Sequence, residues 1–112
     1  MKNIYISGPI SHYILEERKA AFATVEERIK SLGHQCTNPM RNGVPADAHW
    51  SQHMRVDIGL LLSCDAIYMM KGWEQSKGCK LELDVATTIG LPVYFEDVIK
   101  RHHLKDAIFD KD

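Results

Sequence analysis

Short apolar runs alternate with longer segments of helical periodicity along the whole chain, and this alternation constrains the fold more than any other feature. Runs rich in β-branched and aromatic residues predict strands at residues 3–7, 34–37, 66–70 and 93–95. The segments between them predict helices at about residues 12–32, 47–63 and 79–89, followed by a further helix over residues 96–112. Alternating strands and helices are typical of a parallel sheet that is covered on both faces. We therefore predict an α/β fold, a single Rossmann-like or flavodoxin-like domain with a parallel sheet of four to five strands and helices on both faces.

Residues that commonly begin or end helices refine these boundaries. Gly33 follows the last apolar position of the first helix, where a glycine often ends a helix. Asp47 precedes the second helix and is predicted to cap its first free amides. Residues 40–46 contain Asn, Gly and Pro, so they are predicted to form a loop.

Composition excludes several classes of protein. At roughly 150 residues per domain, 112 residues predict one domain, residues 1–112. Fourteen Lys and Arg residues against fifteen Asp and Glu residues give a formal net charge of -1, which argues against binding to a nucleic-acid polymer. No apolar run approaches the ~20 residues of a membrane span, so we expect no membrane partner.

The cysteines and the N-terminus bear on the cellular compartment. Cys36, Cys64 and Cys79 are odd in number and lack CxxC spacing, which favours free thiols over a disulfide framework. The first Gly-Pro pair, Gly8 and Pro9, comes too early for the apolar segment of a signal peptide. We therefore expect a cytoplasmic protein.

The predicted fold also indicates where a ligand would bind. In open parallel sheets, ligands bind beyond the carboxyl ends of the strands, near the point where the strand order reverses. This rule selects the loops that follow Ser7, Thr37 and Met70. The first of them, residues 8–11, lacks the glycine patterns of dinucleotide-binding and phosphate-binding loops, so a plain turn remains an alternative there.

Glu82 is the residue that the pattern singles out. Together with Val85, Ala86 and Ile89 it is expected on the apolar stripe of the third helix, where a charged group is rarely buried without a reason. Because this helix follows a central strand, the carboxylate is expected at the ligand-binding edge of the sheet. The alternative is a structural glutamate stabilised by the helix dipole, an effect worth about 0.3–1 kcal/mol.

Asp57 is a second carboxylate of the same kind. Its apolar neighbours indicate a largely buried second helix, which would flank the same central strand. Glycosyl transfer uses paired carboxylates, one as nucleophile and the other for proton transfer or substrate anchoring. Tyr5 lies just before the first loop, and its hydroxyl can orient a carboxylate, although a core tyrosine is the commoner alternative.

Two further groups of polar residues invite a ligand. His49, His53 and Asp57 share a helix face, but three ligands spaced along a straight helix diverge, so we expect no metal and no cofactor. Ser76 and Gly78 precede the third helix, where backbone amides and a hydroxyl could hold a phosphate. A serine that only caps the helix would give the same pattern.

Three stretches occur together and in order along the chain. They are residues 5–10 (YISGPI), Asp57 ahead of residues 64–66 (CDA), and residues 82–93 (ELDVATTIGLPV). The combination, which extends over about residues 1–95, resembles the nucleoside 2-deoxyribosyltransferase-like superfamily. The loop at residues 72–78 (GWEQSKG) is similar to that of small, often phage-borne members.

The resemblance implies roles for individual residues. Glu82 matches the nucleophile that attacks C1′ of a (deoxy)ribosyl group, Tyr5 the hydroxyl that positions it, and Asp57 the acid that anchors the sugar or assists departure of the base. Ser76 matches a phosphate-binding serine and favours a 5′-monophosphate. The residues expected to bind substrate are Ser7, Gly8, Pro9, Ile10, Ser76, Gly78 and Asn38. Arg41 and Arg55 are candidates for contacts with base or phosphate, without a motif behind them.

The resemblance also implies an activity. We predict an enzyme, an N-glycosidase or deoxyribosyltransferase that cleaves the N-glycosidic bond of a (deoxy)nucleoside 5′-monophosphate or nucleoside. Members of the superfamily complete their site with residues of a neighbouring subunit, so we expect a homodimer or larger homo-oligomer. The alternative is a non-catalytic nucleotide-binding or sensor module of the same fold. Pro9 and Ser11 stand where the branch that hydrolyses deoxynucleoside 5′-monophosphates has a serine and an arginine, and Asp84 stands where the superfamily has a glycine.

Overall fold

The computed structural model describes residues 1–99, which form four strands and four α-helices. The strands are β1 (Asn3–Ser7), β2 (Gln35–Thr37), β3 (Ala66–Met69) and β4 (Val93–Phe95). The helices are α1 (Leu15–Ser31), α2 (Trp50–Leu62), α3 (Lys77–Thr88) and α4 (Glu96–Ile99). Short 3-10 turns at Pro39–Arg41 and Trp73–Gln75 interrupt two of the loops. Beyond residue 99, the helix predicted over residues 96–112 lies outside the described residues.

The four strands form one sheet with the order β2-β1-β3-β4, and every pair is parallel. This architecture confirms the predicted Rossmann-like or flavodoxin-like α/β fold. The strand order reverses between β1 and β3, whose carboxyl ends are aligned because Ser7 pairs with Met69. A ligand site is therefore expected beyond these two residues.

Side chains of β1 alternate between the two faces of the sheet, as the strand geometry requires. Ile4 and Ile6 pack against α1 in one apolar cluster, which contains Phe22, Val25 and Ile29. Tyr5 belongs to the cluster on the opposite face, which α2 and α3 cover with Leu61, Cys79 and Ala86. The period of two thus directs Tyr5 and Ser7 towards α3, whereas their neighbours form the core under α1.

Local hydrogen bonds set helix boundaries that differ from the predicted ones. Asp47 does not cap α2, so that prediction is wrong: a turn closed by the Ala48 amide and the Pro45 carbonyl (3.0 Å) keeps it outside the helix. His49 is the cap instead, and its Nδ1 accepts from the Ser51 amide at 3.1 Å. α3 begins at Lys77, two residues earlier than predicted.

In two helices, fewer residues are buried than the sequence pattern predicted. The prediction of a largely buried α2 is wrong, because Met54, Asp57 and Leu61 are its buried residues and Leu62 is 54% exposed. In α3, Ile89 falls at the C-cap and is exposed rather than part of the buried stripe. Both helices pack on the sheet through one side only, so residues beyond that side face solvent.

The three cysteines are unpaired, as predicted. Among residues 1–99, no helix has both the length and the apolar character that crossing a membrane requires.

Candidate active site

A cavity of about 450 Å³ opens beyond the carboxyl ends of β1 and β3. Its walls come from the loop after β1, the start of α1, the segment between β2 and α2, the first half of α2 and the start of α3. Six of the predicted site residues line it: Gly8, Ile10, Asp57, Ser76, Gly78 and Glu82. The structure therefore brings these six residues from three separate parts of the chain to the edge of the sheet that the fold rule selects.

Glu82 is a buried and firmly held polar group of the cavity wall. Its side chain is 5% exposed, and both carboxylate oxygens accept hydrogen bonds from β1. The Tyr5 hydroxyl donates to Oε2 at 2.7 Å, and the Ser7 hydroxyl donates to Oε1 at 2.6 Å. Because Tyr5 and Ser7 are two positions apart on a strand, they present their hydroxyls to the same carboxylate.

Burial raises the pKa of Glu82 to about 7. The hydrogen bonds from Ser7 and Tyr5 oppose this rise, because they stabilise the charged form, and the nearby charge of Asp57 adds to it. Burial, followed by the charge of Glu82, also raises the pKa of Tyr5, so the phenol remains a hydrogen-bond donor. The result is a carboxylate that is poised near neutral pH, which is typical of functional sites.

Asp57 lies on α2 and lines the same cavity. Its side chain is buried, and Oδ1 accepts a hydrogen bond from the Asn42 amide at 2.9 Å. Burial raises the pKa of Asp57, whereas the hydrogen bond from Asn42 and the proximity of His53 lower it. Two acidic groups from different helices, Asp57 of α2 and Glu82 of α3, thus line the same cavity.

Ser76 and the two glycines shape the rest of the wall. The Ser76 hydroxyl caps α3 by accepting from the Cys79 amide at 3.1 Å, which is the structural role left open by the sequence. Ser76 and Gly78 nevertheless line the cavity, so the amino end of α3 faces it. Gly8 lets the backbone lie close to the Met70 side chain, since a Cβ there would lie 2.5 Å from Met70 Sδ.

Several predicted residues do not line the cavity. Tyr5 and Ser7 lie behind Glu82 and are fully buried, and Pro9 is buried as well. Asn38 Nδ2 donates to Glu26 Oε1 at 3.0 Å, and Arg41 Nη2 donates to the same oxygen at 2.6 Å. These two side chains therefore stabilise a buried carboxylate of α1 instead of contacting the cavity. Arg55 is exposed on α2 and does not line the cavity either.

The histidines that share a face with Asp57 have local partners. His49 caps α2. His53 lines the cavity, with Nε2 2.9 Å from the Pro45 carbonyl oxygen and Nδ1 3.2 Å from Asn42 Nδ2. Within residues 1–99, no group of three His, Cys, Asp or Glu side chains could hold a metal ion.

The sequence matches a known protein family over residues 2–95, the family described as "Domain of unknown function (DUF4406)". The chain belongs to the DUF4406 family. A comparison with functionally curated proteins finds no match.

The fold of this DUF4406 chain is similar to that of solved structures. It is similar to a 2-deoxyribosyltransferase from Leishmania mexicana, with a TM-score of 0.67 and 22% identity over 85% of this chain and 63% of that one. It is also similar to a 2-deoxyribosyltransferase from Bacillus psychrosaccharolyticus, with a TM-score of 0.64 and 20% identity over 83% of this chain and 70% of that one. The DUF4406 chain thus has the nucleoside 2-deoxyribosyltransferase-like fold that the resemblance predicted, and it spans less than two thirds of the Leishmania chain.

The residues of the cavity wall that sequence reasoning missed include Lys19, Asn42, Trp50 and Met54. The loop after β2 was correctly selected, but its asparagines could not be told apart, because both lie among turn-forming residues. Trp50 and Met54 are one helical turn apart on α2, and Asp57 follows Met54 by three positions. This spacing, once α2 is known to begin at Trp50, is the signal that could have placed all three on one face.

Proposed function

We propose that this chain cleaves the N-glycosidic bond of a nucleoside or nucleoside 5′-monophosphate, with Glu82 as the nucleophile. The observation that carries the proposal is the Glu82 carboxylate, buried at the cavity wall with each oxygen held by a hydroxyl of β1. The deoxyribosyltransferase fold supports it, because the two solved relatives carry that activity in their names.

The chemistry follows from the positions of the carboxylates. One Glu82 oxygen attacks C1′, and the bond between C1′ and the base nitrogen breaks, so that the electron pair leaves with the base. The sugar is oxocarbenium-like in the transition state, and the nearby carboxylate stabilises that charge before it forms a covalent glycosyl ester. Water then releases the sugar as a hydrolase product, or a second base accepts it as a transferase product.

The hydroxyls of Tyr5 and Ser7 serve as positioning groups in this reaction. They fix the orientation of Glu82 and keep it partly ionised in spite of its burial. Asp57 is the second carboxyl group, which anchors the sugar or supplies a proton to the departing base. Because these groups are positioned before substrate arrives, little reorganisation is needed at the moment of reaction.

The cavity also supports a choice of substrate class. Its volume of about 450 Å³ falls in the range of small-molecule sites. The amino end of α3 faces the cavity at Ser76 and Gly78, and Lys19 lines the wall as well. Backbone amides at a helix start together with a cation favour an anion, which supports a 5′-phosphate on the substrate.

Association of two or more copies is a further part of the proposal. It rests on the superfamily resemblance, in which a neighbouring subunit completes the site. Exposed apolar side chains on α2 and α3, such as Leu62 and Leu81, are compatible with such a contact.

A substrate panel tests the proposed function. We expect free base to be released from at least one deoxynucleoside 5′-monophosphate or nucleoside, as measured by reversed-phase chromatography. A second base added to the reaction separates the two outcomes, since only a transferase forms a new nucleoside. Absence of turnover with every substrate would contradict the proposal. A nucleotide that raised the melting temperature without forming product would then favour the non-catalytic alternative, because ligand at 100 times its Kd stabilises by about 2.7 kcal/mol.

Tyr5→Phe is expected to move the pH dependence of the reaction. The variant removes the 2.7 Å hydrogen bond to Oε2 and therefore raises the pKa of Glu82 above its value of about 7. A hydrogen bond to a charged group is worth about 1.5–3 kcal/mol, which corresponds to about one to two pH units. The acid limb of a profile of kcat/KM against pH should shift upwards by that amount.

Tyr68→Phe is the matched control for this variant. Tyr68 is a buried tyrosine of β3 that belongs to the apolar cluster under α1, on the opposite face of the sheet. The acid limb should be unchanged in this control. If both variants left the limb where it is in the wild type, Tyr5 would have no part in positioning Glu82.

A further inference from the structure

The geometry points to Asn42 as the positioning residue that orients Asp57 and leaves one of its carboxylate oxygens available to the substrate. This inference rests on the proposed function, in which Asp57 is the second carboxyl group of the reaction. Asn42 comes from the loop between β2 and α2 and lines the cavity beside Asp57.

The Asn42 amide group is held at three points. Nδ2 donates to Asp57 Oδ1 at 2.9 Å and lies 3.2 Å from His53 Nδ1. Oδ1 accepts from the Val44 backbone amide at 2.9 Å. A rotated amide would place Oδ1 against a carboxylate and Nδ2 against an N–H group, and both contacts would be repulsive. The orientation of the amide is therefore determined by its partners.

His53 supports the same orientation. Its Nε2 lies 2.9 Å from the Pro45 carbonyl oxygen, which can only accept, so Nε2 carries the hydrogen in the neutral ring. Nδ1 is then an acceptor and takes the second hydrogen of Asn42 Nδ2. One hydrogen of the amide thus points to His53 and the other to Asp57.

The consequence for Asp57 is an asymmetric carboxylate. Oδ1 is engaged by Asn42, whereas no side chain or backbone group of residues 1–99 donates to Oδ2. Since Asp57 lines the cavity, Oδ2 is the oxygen that can contact a substrate. Rotation of the carboxyl group away from this orientation breaks the bond to Asn42.

Asn42 also acts on the charge of the site. Its hydrogen bond favours the ionised form of Asp57, against the burial that raises the pKa of this group. Other titratable groups near Asp57 are His53 on its own helix, Glu82 on α3 and Tyr5 on β1. The charge of Asp57 in turn raises the pKa of Glu82. Loss of the hydrogen bond from Asn42 is therefore expected to change the pKa of both carboxyl groups.

Asn38 provides a matched control in the same loop. Its Oδ1 accepts from the Met40 backbone amide at 2.9 Å, two residues ahead, as Asn42 does with Val44. Its Nδ2 donates to Glu26, a buried carboxylate of α1, and not to Asp57. Both asparagines therefore tie the loop to a helix, but only Asn42 contacts a carboxylate of the cavity.

The experiment compares Asn42→Ala, Asn42→Asp and Asn38→Ala with the wild type. The first readout is the titration of the Asp57 carboxyl carbon by NMR, assigned with Asp57→Asn, in protein without substrate. We expect the titration midpoint to rise by about one pH unit in Asn42→Ala, and further in Asn42→Asp, where a like charge faces Asp57. Asn42→Asp keeps an acceptor for the Val44 amide, so it reports on the lost donor if Asn42→Ala does not fold.

The second readout is kinetic. In Asn42→Ala we expect kcat/KM for base release to fall about tenfold, because Asp57 is no longer held in one orientation towards the substrate. Asn38→Ala is expected to lower thermal stability without moving either the midpoint or the acid limb. An unchanged Asp57 midpoint in folded Asn42 variants, or an equal change in Asn38→Ala, would overturn the inference. Lack of base release by the wild type would contradict the proposed function alone, since the NMR titration requires no activity.

Discussion

Glu82→Gln is expected to lower kcat/KM for base release by at least about 10³-fold, which corresponds to about 4 kcal/mol of transition-state stabilisation. Gln has nearly the shape of Glu, and its side-chain oxygen still accepts one hydrogen bond from β1. It carries no negative charge, however, so it neither attacks C1′ nor stabilises an oxocarbenium-like sugar. Initial rates of base release, measured by chromatography across a range of substrate concentrations, provide the test.

Asp84→Asn is the control for the loss of one negative charge from α3. Asp84 follows Glu82 by two positions and is exposed, so it points away from the buried side of the helix. Rates for this variant should stay close to those of the wild type. Comparable rates for Glu82→Gln and the wild type would remove Glu82 from the mechanism and leave its buried hydrogen bonds as a structural feature.

Glu82→Gln is also expected to change how the stability of the protein depends on pH. The pKa of Glu82 is about 7 in the folded chain, above the ordinary value of 4.5, so the folded state holds a proton that the unfolded state releases between these values. The contribution of Glu82 to stability therefore falls as pH rises from about 4.5 to 7 and is constant above that window. A rise of this size corresponds to about 3 kcal/mol.

Glu82→Gln lacks this dependence because its amide does not titrate. The free energy of unfolding of the variant is measured in urea at several pH values. Relative to that of the wild type, it should rise by up to about 3 kcal/mol between pH 5 and pH 8. The difference between the two curves isolates Glu82, because the other titrating groups are common to both. Glu26 contributes with the opposite sign and at lower pH: burial opposes the shift, but hydrogen bonds from Arg41, Asn38 and Lys30 lower its pKa to about 2.

Parallel curves for the two proteins would contradict a raised pKa at Glu82. A higher free energy of unfolding for the variant than for the wild type at pH 8 would mean that the ionised Glu82 carboxylate destabilises the fold. Such a cost is expected where a buried group is retained for chemistry, and it is measured here independently of any substrate.

Some features of the site were predictable because they depend on local periodicity. Glu82 interrupts an apolar stripe at helical spacing, and Tyr5 and Ser7 share one face of a strand because they are two residues apart. The placement of Glu82 at the ligand edge followed from the rule for parallel sheets. None of these inferences needed knowledge of contacts between distant residues.

The asparagines of the loop show where this reasoning stops. Asn38 and Asn42 are both turn residues next to proline, arginine or glycine, and nothing local distinguishes them. In the folded chain the first donates to Glu26 and the second to Asp57. The partner of each is set by which helix packs beside the loop, so Asn38 was predicted to bind substrate while Asn42 was overlooked.

By itself, the sequence determined the order of strands and helices along the chain, the α/β class and the two carboxylates of the cavity, Glu82 and Asp57, since these depend on spacing along the chain. Only the tertiary structure decided that Tyr5 and Ser7 hold Glu82, and that Asn42 rather than Asn38 reaches the cavity. Those bonds join residues that are 75, 77 and 15 positions apart. Hydrogen bonds act over about 3 Å, so their partners are defined only when packing of the helices on the sheet has fixed the distances between segments.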